Sequence, residues 1–141
     1  MQTPSLADQL CFDLYSASRA VTHAYRPVLA ELGVTYTQYL VLIVLWENEA
    51  RTVRDLVDVL RLDHGTLTPL LRRMEAAGLI TRRRGDPDER FVEVSLTPKG
   101  DALRSQATRI HCDMTEALGL DPAQFAALQK TLRVLTSRVT T

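Results

Sequence analysis

The sequence predicts a mainly α fold with one small β-hairpin. Three observations carry this. Apolar residues recur at three- and four-residue steps through most of the chain, the spacing of a helix face. The run at residues 91–96 (FVEVSL) instead alternates apolar and polar residues, as a half-buried strand does. It is separated from the run at 79–84 (LITRRR) by the turn formers Gly85, Asp86, Pro87 and Asp88, which makes the two runs a hairpin.

Each element follows in order. The first helix is expected over about residues 6–32, with Leu6, Leu10, Leu14, Ala17, Val21, Ala24 and Val28 along one face. Ser5 and Asp8 stand at capping-box spacing, with Asp in place of the usual Glu or Gln. Pro27 lacks a backbone donor and should kink or end the helix, and Gly33 supplies a stop. Thr37 is expected to open a second helix over 38–48, apolar nearly all round and therefore buried on most sides. Thr52 caps a short helix through Leu60, and Asp63 caps another through Ala77, stopped by Gly78. Only Arg61 and Leu62 lie between, so the pair reads as a helix-turn-helix. Pro69 falls inside the second of these helices. Either that helix begins near Thr68, or packing tolerates a lost bond. After the hairpin, Thr97-Pro98 opens a helix to about Leu118. Gly119 ends it, and Asp121-Pro122 opens the last helix, striped by Phe125, Leu128, Leu132, Leu135 and Val139. A helix-turn-helix followed at once by a hairpin is a winged helix-turn-helix, here at about residues 52–97. The long helices at about 1–36 and 98–141 need somewhere to bury their stripes, and a symmetric homodimer provides it. The whole chain, 1–141, reads as one such domain.

The bulk numbers narrow the function classes. A chain of 141 residues can build a real core. No apolar run is long enough to span a membrane, and the first residues carry no basic or long apolar segment of the secretory kind. Two cysteines make no disulfide scaffold, so the cytoplasm is the expected compartment. His23, His64 and His111 show no ligand spacing, and no metal or cofactor is expected. Seventeen basic and seventeen acidic side chains balance overall. Between Arg51 and Arg84, however, eight arginines face four carboxylates, and the remainder is acidic. A basic centre on an acidic chain fits a nucleic-acid footprint, or else a solvated surface.

The arrangement of those residues favours DNA. Thr66, Thr68 and Arg72 step along one face of the second short helix, with His64 at its start and Arg73 beside them, while Leu67, Leu70, Leu71 and Met74 form the buried face. Short hydroxyl side chains let a helix approach base edges, and arginine bonds guanine or phosphate. Arg82, Arg83 and Arg84 and, past the turn, Arg90 make a basic arm suited to a minor groove.

Asp88-Glu89-Arg90 followed by VEVSLTPKG (92–100) resembles the wing signature of the MarR family of bacterial winged-helix repressors, and the element order matches over nearly the whole chain. LDHGTLTPLL (62–71), QLCFDLYSASRA (9–20) and YTQYLVL (36–42) resemble its OhrR branch, the sensors of organic hydroperoxides. His64 stands where that branch has a serine. The resemblance implies a homodimer that binds double-stranded promoter DNA. It implies that Cys11 is the reactive cysteine, that Tyr25 and Tyr36 bond its sulfur from the partner subunit, and that Tyr15 lines the same pocket. It places Asp88 with Arg90 in the DNA-contacting wing. Two-cysteine members pair the reactive thiol with a second one across subunits. Cys112 lies about a turn from that partner's place, so it is either this resolving thiol or an inert one. If it is inert, a low-molecular-weight thiol completes the reaction.

The chemistry needs these residue types. A thiolate attacks a peroxide oxygen and becomes a sulfenic acid. Phenol hydroxyls can donate to the anion. With Ser5 as cap, Cys11 would lie beyond the first turn and gain little from the helix dipole. Leu10, Phe12 and Leu14 suit an organic peroxide. Without the resemblance, Cys11 would read as an inert core thiol, and Tyr39 reads as core packing. Two other functions compete. A phenolic or similar small ligand could release the repressor reversibly, without oxidation. A thiol peroxidase would call for an alternating strand-helix pattern that the chain lacks, so no enzyme is expected.

Overall fold

The computed structural model describes residues 2–85 and 91–140. The chain divides into two compact units, Met1–Thr108 and Arg109–Thr141.

The first unit opens with a single 3-10 turn, Leu6–Asp8, and then helix α1, Leu10–Ala30. The helix thus begins four residues later than expected. Ser5 Oγ donates to the Asp8 carboxylate at 2.6 Å, side chain to side chain, and neither caps a backbone group. Gln9 is the N-cap residue instead. Pro27 lies within α1 and does not end it. Helix α2, Tyr36–Glu47, is capped by Thr35 rather than Thr37. The Gln38 N–H donates to Thr35 Oγ1, and the Thr35 N–H donates to Gln38 Oε1 at 3.0 Å. That reciprocal pair is the capping box the sequence hid behind three nearby threonines and tyrosines.

Strand β1, Ala50–Thr52, runs straight into helix α3, Val53–Leu60, and helix α4 spans His64–Ala76. Arg61 turns the chain between the two helices in the left-handed region, φ 55°. Asp63 caps α4 as expected, accepting from the Thr66 N–H at 2.7 Å. Pro69 is tolerated within α4. Both Pro69 and Gly65, whose carbonyl loses its helical donor, are exposed, so water can take the place of the missing N–H.

Strands β2, Ile80–Arg84, and β3, Val92–Leu96, form the expected antiparallel pair, with Arg82 opposite Val94. The sheet has a third strand that sequence reasoning missed: β1 pairs with the other edge of β3, giving the order β1-β3-β2. Leu42, Leu45, Leu56, Leu67, Leu71, Met74, Ile80 and Val94 fill the core beneath.

The expected single helix after the wing is broken. Helix α5 covers Pro98–Ala102, a 3-10 stretch covers Leu103–Gln106, and helix α6 resumes at Ala107–Ala117. Trp46 Nε1 donates to the Gly100 carbonyl at 3.2 Å, and Arg104 donates to the Trp46 carbonyl. The carbonyl that would accept from residue 104 in a regular helix is therefore bonded elsewhere. Gly100 itself sits against the Leu79 carbonyl with no room for a Cβ. The second unit holds the rest of α6 and helix α7, Pro122–Val139, which Asp121 caps. No residue of α7 is buried. No described helix is long and apolar enough to cross a membrane.

Candidate nucleic-acid interface and thiol site

Helix α4 presents two faces. Leu67, Leu70, Leu71 and Met74 are at most 3% exposed, and they fix the helix to the core. His64, Thr66, Arg72 and Arg73 are exposed on the other side, with Thr68 half-buried. The 3.6-residue period puts Thr68 and Arg72 one turn apart on that face. Hydrogen bonds from Thr66 hold the Asp63 carboxyl below the usual carboxylate range, so the N-terminal cap stays charged near neutrality.

A cleft of about 690 Å³ separates this face from the wing. His64, Thr68 and Leu71 line one wall, Arg82, Phe91 and Val92 the other, and Thr52, Val53 and Arg54 the end. Arg54 was not singled out from sequence. Its place in the first turn of α3 could have marked it, because the first helix of a helix-turn-helix crosses the nucleic-acid backbone.

The wing arginines do not behave alike. Arg83 and Arg84 are exposed. Arg82 is half-buried and held by Glu75: its Nη2 donates to Glu75 Oε1 at 3.1 Å. Asp88 and Arg90 lie outside the described residues.

The thiol site is divided. Cys11 is exposed on this chain rather than packed into the chain's own core. With Gln9 as N-cap, Cys11 is the second residue of α1. It stands in the first turn of the helix, not beyond it. Leu10 and Phe12 beside it are 63% and 42% exposed. Tyr15 follows one turn later, 61% exposed, with the Arg19 guanidinium 5.4 Å from its ring centre.

Tyr25 lies on the same helix, but 14 residues further on, roughly 21 Å at 1.5 Å per residue. It cannot reach the Cys11 of its own chain. It stacks instead on Tyr36 of α2, with ring centres 4.8 Å apart, and sits 6.0 Å from Tyr39. Tyr39 in turn meets Trp46 edge-on at 6.1 Å. Tyr39 is buried, the core packing expected of it. Burial pushes the Tyr25 and Tyr36 hydroxyls up from the ordinary tyrosine value, with charge repulsion from the titrating Tyr36 and Tyr39 hydroxyls adding to the effect on Tyr25. Both therefore remain protonated donors at neutral pH. Sequence reasoning named these two phenols without the aromatic row, through Tyr39 to Trp46, that holds them.

Cys112 is exposed on α6, in a shallow depression with His111, Thr115, Glu116 and Leu120. Neither cysteine is in a disulfide. Among the described residues no cluster of three His, Cys, Asp or Glu side chains could hold a metal ion.

Comparison with known proteins gives this architecture a family. A family model described as transcriptional regulator SarA/Rot matches residues 23–106. The chain is 52% identical over 105 residues to an organic hydroperoxide resistance transcriptional regulator of Bacillus subtilis, covering 74% of this chain and 71% of that protein. It is similar in structure to reduced AbfR bound to DNA, with TM-score 0.81 and 32% identity over 96% of this chain and 92% of that one. A disulfide-formed AbfR structure matches with TM-score 0.67 and 35% identity, covering 93% and 92%. AbfR is a protein of Staphylococcus epidermidis. The chain belongs to the MarR family of winged-helix transcriptional regulators, in its OhrR-type branch, and is a DNA-binding regulator rather than an enzyme.

Proposed function

We infer that the protein is a redox-responsive repressor of the cytoplasm. The reduced homodimer binds promoter DNA, and oxidation of Cys11 by an organic hydroperoxide releases it. The observation that carries this reading is the position of Cys11: exposed, in the first turn of α1, among exposed Leu10, Phe12 and Tyr15. A second chain laid against it would bring its own Tyr25 and Tyr36 to the sulfur, which the chain's own tyrosines cannot do. Two AbfR structures, one with a disulfide and one overoxidised, support thiol chemistry in a relative of the same fold.

The Cys11 thiolate attacks one peroxide oxygen, the O–O bond breaks, and the alkoxide leaves and takes a proton to become an alcohol. Sulfur loses two electrons and the peroxide gains them. The sulfenic acid then condenses with a thiol, releasing water and forming a disulfide. That thiol is Cys112 or a small cellular thiol. Either product enlarges the sulfur site and favours a dimer state with a different spacing of its two α4 helices. Half-sites one helical turn apart, about 34–36 Å, accept only one spacing.

His64, Thr66, Thr68, Arg72 and Arg73 are the groove-facing residues of α4, and Arg83 and Arg84 those of the wing, while Asp88 and Arg90 are assigned to DNA contact by the family resemblance alone. Arg54 joins them at the cleft end as a phosphate contact. The test is binding to a labelled promoter duplex at fixed salt, before and after cumene hydroperoxide. Wild type should be released and Cys11→Ser should stay bound. Release of both, or of neither, would mean that the signal is something other than Cys11 oxidation, and a phenolic or similar ligand that releases Cys11→Ser as well as wild type would favour the reversible-binding alternative.

A further inference from the structure

Glu75 and Arg82 meet in a way that neither of their elements requires for itself. Strand β2 is an outer strand of the sheet, and such a strand turns part of its N–H groups away from its neighbour. The Arg82 N–H donates to Glu75 Oε2 at 3.1 Å, while the Arg82 guanidinium donates to Glu75 Oε1 at 3.1 Å. One carboxylate at the end of α4 thus holds both the backbone and the side chain of the central residue of β2. The Arg82 bonds hold the Glu75 carboxyl below the usual glutamate range, so the pair stays ionised near neutral pH. The Arg82 side chain is 25% exposed, drawn back against α4, whereas Arg83 and Arg84 on the same strand are exposed.

The sign of the charge makes the arrangement informative. Glu75 places a negative group between the two elements that approach a polyanion. By electrostatics alone, its removal would strengthen DNA binding. We propose that Glu75 and Arg82 are positioning residues for DNA binding. They clamp the wing to α4, so that both present their arginines to the duplex at one fixed spacing, and Arg82 acts through this clamp rather than by touching phosphate. The clamp builds on the DNA-binding assignment and adds a role that charge reading assigns the other way.

The test compares promoter affinity over a salt series for wild type, Glu75→Ala, Arg82→Ala, the double variant and Arg83→Ala, with thermal unfolding of each. The clamp predicts roughly tenfold weaker binding for Glu75→Ala, the effect of losing one or two charge-assisted bonds. Arg82→Ala should match it, and the double variant should bind no more weakly than either single one. The slope of log affinity against log salt should hold for both, because the wing still docks, while Arg83→Ala lowers it by about one. Glu75→Gln keeps an acceptor for the Arg82 N–H. It should fold like wild type and weaken binding by less than Glu75→Ala. Binding by Glu75→Ala or Glu75→Gln as tight as wild type, or tighter, would overturn the clamp. So would an Arg82→Ala slope that falls as the Arg83→Ala slope does. A wild type that binds promoter and unrelated duplex alike would remove the DNA-reading assignment, and the clamp with it.

Discussion

In the segment that carries the helix-turn-helix and wing, and in the helix α2 before it, most of the large apolar side chains are inside, with Val59 and Phe91 the exposed exceptions. Leu42, Leu45, Leu56, Leu67, Leu71, Met74 and Val94 have no exposed surface. The ends of the chain are built differently. Leu6, Leu10, Phe12 and Tyr15 near the N-terminus are 42–63% exposed, and Leu128, Leu132 and Val134 of α7 are 38–48% exposed. Both regions have helical apolar stripes in sequence, yet only one stripe is satisfied within the chain. The head that reads DNA is a finished core. The ends carry the sulfur and the unburied stripes, and a second chain would finish them.

The largest expected effect separates the two regions by what a leucine does in each. Leu71→Ala should cost about 2–5 kcal/mol of unfolding free energy, whatever the protein concentration. The measurement is denaturant unfolding at two concentrations. In α7, Leu132→Lys should instead weaken dimerisation by tenfold or more, from roughly 1.5–3 kcal/mol of lost leucine burial. Sedimentation would show it, and the thermal midpoint of the wild type should rise with concentration. A monomeric wild type at micromolar concentration would break the comparison.

A smaller effect tests the link between α2 and the phenols it carries. Thr35→Ala removes half of the capping box at the start of the helix that begins with Tyr36. It should cost about 1 kcal/mol, read from thermal or denaturant unfolding. No loss at all would mean that α2 is held entirely by its buried face.

The smallest effect is one of pH. The hydroxyls of Tyr25, Tyr36 and Tyr39 are raised above the ordinary value by burial. Groups raised on folding add stability that is full below the unfolded value, about pH 10, and is lost as pH rises toward the folded values. The thermal midpoint should therefore fall above about pH 10. Replacing Tyr25 and Tyr36 together by Phe should shrink that fall. An unchanged fall in the double variant would place the alkaline sensitivity elsewhere.

Much of this was legible in the residues themselves. Asp63 and Asp121 cap their helices because a carboxylate at that position has only the local backbone to satisfy. The strand period of residues 92–96 and the stripe of α4 were readable because each has one buried face. Other features depend on partners the local sequence does not show. Ser5 and Asp8 bond each other instead of the helix, so α1 starts at Leu10 and Cys11 moves into its first turn. Strand β1 is three residues long and exists through its pairing with β3. The break after Ala102 is associated with Trp46, which bonds a carbonyl 54 residues away. Among the site residues, the arginines of β2 look equal in sequence, and only the fold shows Arg82 tied to Glu75. Tyr25 and Tyr36 were named through family resemblance, and no spacing rule would have brought them together.

The most direct test of the account is a subunit-mixing experiment on the sulfur site. One protomer carries Cys11→Ser with both tyrosines intact, and the other carries Cys11 with Tyr25→Phe and Tyr36→Phe. Oxidation of Cys11 by cumene hydroperoxide is followed by intact-protein mass spectrometry in the mixed dimer and in the double-Phe homodimer. If the site is completed across two chains, the mixed dimer pairs the remaining Cys11 with the other subunit's phenols. Its Cys11 should then oxidise near the wild-type rate, while the homodimer is slow. A mixed dimer no faster than the double-Phe homodimer would contradict the account.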